Sequence, residues 1–117
     1  MTSAGGREPP ESGPITLINV FEVPAGQAEG FIVQWRARAE IMAAAPGFRD
    51  ARLHRAVSSQ ARFQFVNVAH WDSQADLDAA FGSAAFQDRI QALRQDPEMR
   101  FSADPAVYTV VAELGEP

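Results

Sequence analysis

From Ile15 onward the apolar positions switch between a period of two and a period near 3.6, and each switch marks the border of a predicted element. Over Ile15–Val23 the residues Ile15, Leu17, Asn19, Phe21 and Val23 share one strand face and Thr16, Ile18, Val20 and Glu22 the other, until Pro24 ends the run. From about Ala25 to Ala44 the pattern is helical. Phe31, Trp35, Ala39 and Met42, with Ile32 alongside, make an apolar stripe, Glu29, Arg36 and Glu40 face outward, and Pro46-Gly47 closes the helix. A second strand is expected near Phe48–Val57, a polar turn at Ser58–Ala61, and a third strand starting at Phe63. On that strand Phe63, Phe65, Asn67, Ala69 and Trp71 lie on one side. Ser73-Gln74-Ala75-Asp76 is a variant capping box that opens a helix over Ser73–Phe81. Gly82 interrupts it, and Ala84–Arg94 follows with Phe86, Ile90 and Leu93 on one side. Gln95–Pro105 reads as irregular, and Ala106–Leu114 as the last strand.

The order β-α-β-β-α-β predicts an α+β, ferredoxin-like fold: a four-stranded antiparallel sheet with helices on one face. The uncovered face would carry Ile18, Val20, Val66 and Val68 beside Thr16, Glu22, Gln64 and His70. That much apolar surface predicts a homodimer joined face to face through the sheets. Residues 1–14, with three prolines and three glycines, are expected to be a flexible leader, residues 15–114 a single domain, and 115–117 a tail.

Composition then removes whole classes of chemistry. With no cysteine there is neither a disulfide nor a thiolate site, and because all ten basic residues are arginine no lysine Schiff base can form. A net charge of −5 and scattered arginines argue against a nucleic-acid partner. No apolar run reaches the roughly 20 residues of a membrane span, and the first residues lack the apolar core of a secretory signal, so a cytoplasmic location without membrane association is expected.

The chemically suggestive feature is the amide at Asn67, alone among apolar side chains on its strand face. A buried carboxamide needs a hydrogen-bond partner, which either nearby backbone or a bound ligand supplies. Asn67 and Trp71 therefore read as two walls of a small-molecule pocket, or as part of a polar-satisfied core. Serines 58, 59, 73, 83 and 102 lie in turns or caps and form no nucleophile elbow. His54 falls opposite Phe65–Asn67 and His70 has the parity of the uncovered face; the two make no metal site, although His54 could reach a pocket rim and act as a base. Arg36, Arg38, Arg49, Arg52, Arg55, Arg89 and Arg94 read mostly as solvated charges, although one of them, such as Arg89 near the helix break at Gly82, could touch an anionic substrate. Phe31 and Phe86 read as core.

Three segments together, Ile18–Gly26, Ala45-Pro46-Gly47-Phe48 and Phe65-Val66-Asn67-Val68-Ala69-His70-Trp71-Asp72-Ser73, resemble the antibiotic biosynthesis monooxygenase family of dimeric α+β barrels, from about Ile15 to Val111. In one branch of that family an Asn-x-x-x-Trp arrangement serves the oxidation of aromatic polyketides such as anthrones by dioxygen, with neither metal nor flavin. The resemblance implies Asn67, Trp71 and Asn19 as catalytic residues. It implies Phe21, Trp35, Phe63, Phe65 and Leu77 around an aromatic substrate, no cofactor and no metal. Leu77 stands where one relative uses a tyrosine. A second branch degrades haem with an Asn, a Trp and an iron-ligating His. Here Ile90 stands at the histidine's position, and isoleucine cannot bind iron. A non-catalytic dimeric barrel that binds a hydrophobic small molecule is the third reading.

Overall fold

A computed structural model describes residues 13–115. Four strands, β1 (Ile15–Glu22), β2 (Phe48–Arg55), β3 (Phe65–Trp71) and β4 (Ser102–Tyr108), form one antiparallel sheet in the order β2-β3-β1-β4. Helices α1 (Ala28–Ala43), α2 (Gln74–Phe81) and α3 (Ala84–Arg94) supply the second layer, and a short 3-10 turn at Ala25–Gln27 leads into α1. This is the expected ferredoxin-like α+β arrangement. The first 12 residues of the expected leader lie outside the described residues.

Strand alternation sorts the sheet into two faces. Ile15, Leu17, Phe21, Phe65, Ala69 and Trp71 are buried toward the helices, while Ile18, Val20, Val66 and Val68 on the reverse face are only half-buried. The core divides into two clusters. Around Trp71 gather Leu17, Met42, Leu77 and Phe86; around the fully buried Phe31 gather Phe21, Val23 and Phe65. Phe31 is the aromatic hub, with ring centroids 4.8 Å from Phe21, 4.8 Å from Phe65 and 5.0 Å from Phe101.

Local chemistry fixes the element borders. Ser73 Oγ accepts from the Asp76 backbone N–H and donates to Asp76 Oδ2, so the predicted cap closes through the hydroxyl. The gap between α2 and α3 owes more to Ser83, which caps α3 at the Phe86 N–H, than to Gly82, whose φ of −82° is open to any residue. Gly47 does need its freedom. Its φ is +87°, and a Cβ there would collide with the Asp76 side chain.

The last strand departs from expectation. It begins at Ser102, runs through Pro105 and ends at Tyr108, so most of the expected 106–114 segment lies beyond it. Proline lacks the N–H that a central strand must donate, but β4 is an edge strand with β1 as its one neighbour, where Pro105 pairs opposite Asn19 without disrupting the sheet. Beyond it Val110, Val111 and Leu114 are exposed.

Candidate active site

Between the helix-facing side of the sheet and the helices lies a cavity of about 140 Å³. Its floor is Leu17, Asn19, Asn67, Ala69 and Trp71. Trp35, Arg38 and Met42 come from α1, Phe86 and Ile90 from α3, Phe101 from the approach to β4 and Ala103 from β4 itself.

Sheet register assembles the polar centre. Asn19 on β1 and Asn67 on β3 are direct cross-strand partners, separated by α1 and β2 in sequence yet side by side on one face. Asn67 is buried, Asn19 half-buried, and the Oδ1 of each is sealed from solvent with no hydrogen-bond partner. Such an amide costs about 1–3 kcal/mol unless something fills the role. Rotation of a carboxamide by half a turn exchanges its oxygen for its NH₂, so each can accept from a hydroxyl through Oδ1 or donate to an oxyanion through Nδ2. Four residues along β3, Trp71 is buried and held edge-on by Phe48, ring centroids 5.3 Å apart at 85°.

Of the residues singled out in the sequence, Asn19, Asn67, Trp71, Phe21 and Trp35 line this cavity together. Three do not. Phe63 precedes the start of β3 at Phe65, so it lies in the turn outside the strand register, with the Arg62 guanidinium 4.9 Å over its ring. Phe65 is buried against Phe31, behind the cavity wall, and Leu77 packs in the core around Trp71. The histidines point elsewhere. His54 pairs with Val66, on the reverse face, and donates from Nδ1 to the Val66 carbonyl at 3.3 Å; His70 donates from Nδ1 to Asp50 at 2.6 Å. His54 does not line this cavity.

Two residues read differently from the sequence become functional candidates. Phe86 lines the cavity instead of serving the core alone. Arg38, expected in solvent, is 8% exposed and lines the cavity. Its guanidinium lies 5.9 Å from the Phe31 ring and 5.7 Å from Phe101, and its Nη1 has no hydrogen-bond partner. Burial, assisted by the nearby Arg89 charge, pushes Arg38 down to about 10, so it remains a cation at neutral pH. Its signal lay in spacing: Phe31, Trp35, Arg38 and Met42 follow the i, i+4, i+7, i+11 course of a buried helix stripe. No described Asp, Glu or His lines the cavity, so its wall offers no carboxylate or imidazole as general base.

The model of one protein family, antibiotic biosynthesis monooxygenase, matches residues 14–92. The chain belongs to that family. No curated protein matches it significantly. Among solved structures, a candidate monooxygenase from Shewanella loihica PV-4 is 37% identical, with a TM-score of 0.71 over 87% of this chain and 98% of its own. SnoaB, a cofactor-independent oxygenase from Streptomyces nogalater, is 25% identical at a TM-score of 0.72 over 89% and 99%. MhuD, in a mutant form holding two manganese protoporphyrin IX molecules per active site, is also 25% identical, at 0.68 over 87% and 99%.

As it stands, this cavity is too small for haem. Its volume is close to the roughly 150 Å³ of an engineered cavity that takes up one benzene, whereas a porphyrin joins four pyrrole rings. Ile90 lines the wall and no described His does, so the cavity offers no imidazole to an iron.

Proposed function

We propose that this family member is a cofactor-independent monooxygenase that uses dioxygen to oxidise an electron-rich phenolic, quinol or anthrone ring. The observation that carries the reading is the Asn19–Asn67 pair: two adjacent amides with unpaired oxygens at the floor of an aromatic cavity. A solvent-free pair of this kind is costly in a passive core and useful where charge develops on a substrate oxygen.

In the proposed reaction the substrate loses a proton to solvent and binds as an enolate or phenolate. Asn19 and Asn67 turn their NH₂ groups to its oxygen, while Trp71, Trp35 and Phe86 hold the ring and exclude water. The anion passes one electron to dioxygen, radical and superoxide combine as a ring-bound peroxide, and the O–O bond breaks. One oxygen atom becomes a new carbonyl; the other leaves as water with the two hydrogens the substrate gives up. At about 140 Å³ the cavity admits one ring as it stands, and a three-ring anthrone requires displacement of the Phe86–Ile90 wall. Chelator-treated protein is expected to consume oxygen above the spontaneous rate with 1-naphthol or anthrone. An oxygen electrode trace indistinguishable from the protein-free control for both would refute the reading.

The homodimer belongs to the same proposal. The half-buried Ile18, Val20, Val66 and Val68 and the exposed Val110, Val111 and Leu114 are apolar surface that a second copy would cover. Light scattering at micromolar concentration should give twice the 12.7 kDa of one chain; a monomeric mass rules the dimer out.

A further inference from the structure

The cavity contains a charge that the proposed oxygen chemistry leaves without a role. Arg38 is buried and lines the cavity, its Nη1 has no hydrogen-bond partner, and no described carboxylate lies within ion-pair distance. Arg89 on α3 approaches closely enough to repel it, and Arg89 Nε is likewise buried and unpaired. Each of these neighbouring guanidinium groups thus carries a buried donor without a partner. A buried cation without a counter-ion is strongly unfavourable, and contact with the faces of Phe31 and Phe101 offsets only part of that.

We infer that Arg38, backed by Arg89, is an anion subsite of this cavity, and that the ligand is an aromatic ring carrying an anionic oxygen, either an ionised ring hydroxyl or a carboxylate. A guanidinium is the side chain best matched to such a group, offering paired donors as well as charge. The placement is complementary to the rest of the wall. Asn19 and Asn67 on the sheet present amide groups that can donate to a ring oxygen, Trp35 and Phe86 present apolar surface, and Arg38 adds the positive charge that the neutral amides lack. No opposing charge among the described residues lines the cavity: Asp104, on β4, pairs with Val20 and so shares the parity of the reverse face. The inference deepens the oxygenase reading and rests on this cavity being its site; it explains how a wall without a general base can favour a substrate anion.

A probe that reports its own ionisation tests this without turnover. 4-Nitrophenol ionises near neutral pH and its anion is coloured. An apolar cavity would raise its pKa on binding, because burial disfavours the anion; a cavity with a free guanidinium would lower it. On the wild-type protein the apparent pKa is expected to fall by about one unit, a tenfold shift toward the anion, and in Arg38→Met to rise above its value in buffer. Benzoate serves as the carboxylate arm. If it displaces the probe from wild type and not from Arg38→Met, while the probe's pKa is unmoved, the recognised anion is a carboxylate. If the pKa falls, it is an ionised ring oxygen. A raised pKa on wild type with no benzoate binding overturns the subsite.

The variant also carries a structural signature. The folded-state pKa of Arg38 lies below the unfolded value, so its charge is a stability cost at every pH below about 10 and is present in full at pH 7. Arg38→Met should therefore melt several degrees above wild type, and a lower melting point would mean that the guanidinium is held by the fold for structural reasons. Failure of the probe experiment leaves oxygen consumption untouched as a separate question, and an inactive oxygenase leaves the probe's pKa equally informative.

Discussion

Replacement of Asn67 by alanine is expected to lower oxygenase turnover by about 10²- to 10³-fold while leaving the melting temperature within a few degrees of wild type. The loss of rate follows from removing a preorganised donor aimed at the oxygen on which negative charge develops. The unchanged stability follows from the same geometry. Asn67 Oδ1 has no partner in the fold, so truncation removes a desolvated polar group along with a few packing contacts, and the two effects nearly cancel. A core amide held by backbone would behave in the opposite way, losing about 1–3 kcal/mol and no specific activity. Asn19→Ala should act in the same direction. Because the two amides are cross-strand partners, the double variant should fall short of the product of the single effects. Turnover kept within a factor of two in Asn67→Ala would remove this residue from the chemistry.

Trp71→Ala is expected to cost about 3–5 kcal/mol of stability, a large share of the roughly 5–15 kcal/mol that holds a domain of this size together. The indole is 1% exposed and packs with Leu17, Met42, Leu77 and Phe86 while Phe48 stands edge-on against it. Its removal would merge the hole it leaves with the existing cavity. Trp71→Phe separates packing from chemistry, since a phenyl ring fills much of the same space without the indole's extent or its ease of oxidation. Chemical denaturation should find the Phe variant within about 2 kcal/mol of wild type, with turnover reduced at least tenfold if the indole stacks on the reacting ring. A stable Phe variant with full turnover would make Trp71 a core residue only.

Much of the scaffold was legible because strand alternation has an unforgiving period of two. Once β1 and β3 were located, Asn19 had to share a face with Phe21, and Asn67 with Trp71. Their immediate neighbourhood was not legible, because register between β1 and β3, which sets Asn19 directly opposite Asn67, depends on pairing across nearly 50 residues of intervening chain. Phe63 was misplaced because the apolar alternation continues two residues into the turn, past the last residue the ladder can pair. Pro105 misled in another way. It reads as a terminator when the position of its strand in the sheet is unknown, and is harmless on an edge. Arg38 was hidden by the ordinary rule that charge faces water, although its spacing from Trp35 and Met42 put it on the buried stripe. A rule based on burial cost fails where a ligand is expected to meet the charge.

The central claim is that dioxygen reacts with the ring inside this cavity, without help from a metal or cofactor. The most direct measurement is mass analysis of the product formed under ¹⁸O₂ by chelator-treated protein, with Asn67→Ala run alongside. The account predicts one labelled oxygen in the product quinone, the other in water, and loss of product formation in the variant. An unlabelled product, or the same labelled yield from Asn67→Ala as from wild type, would contradict it.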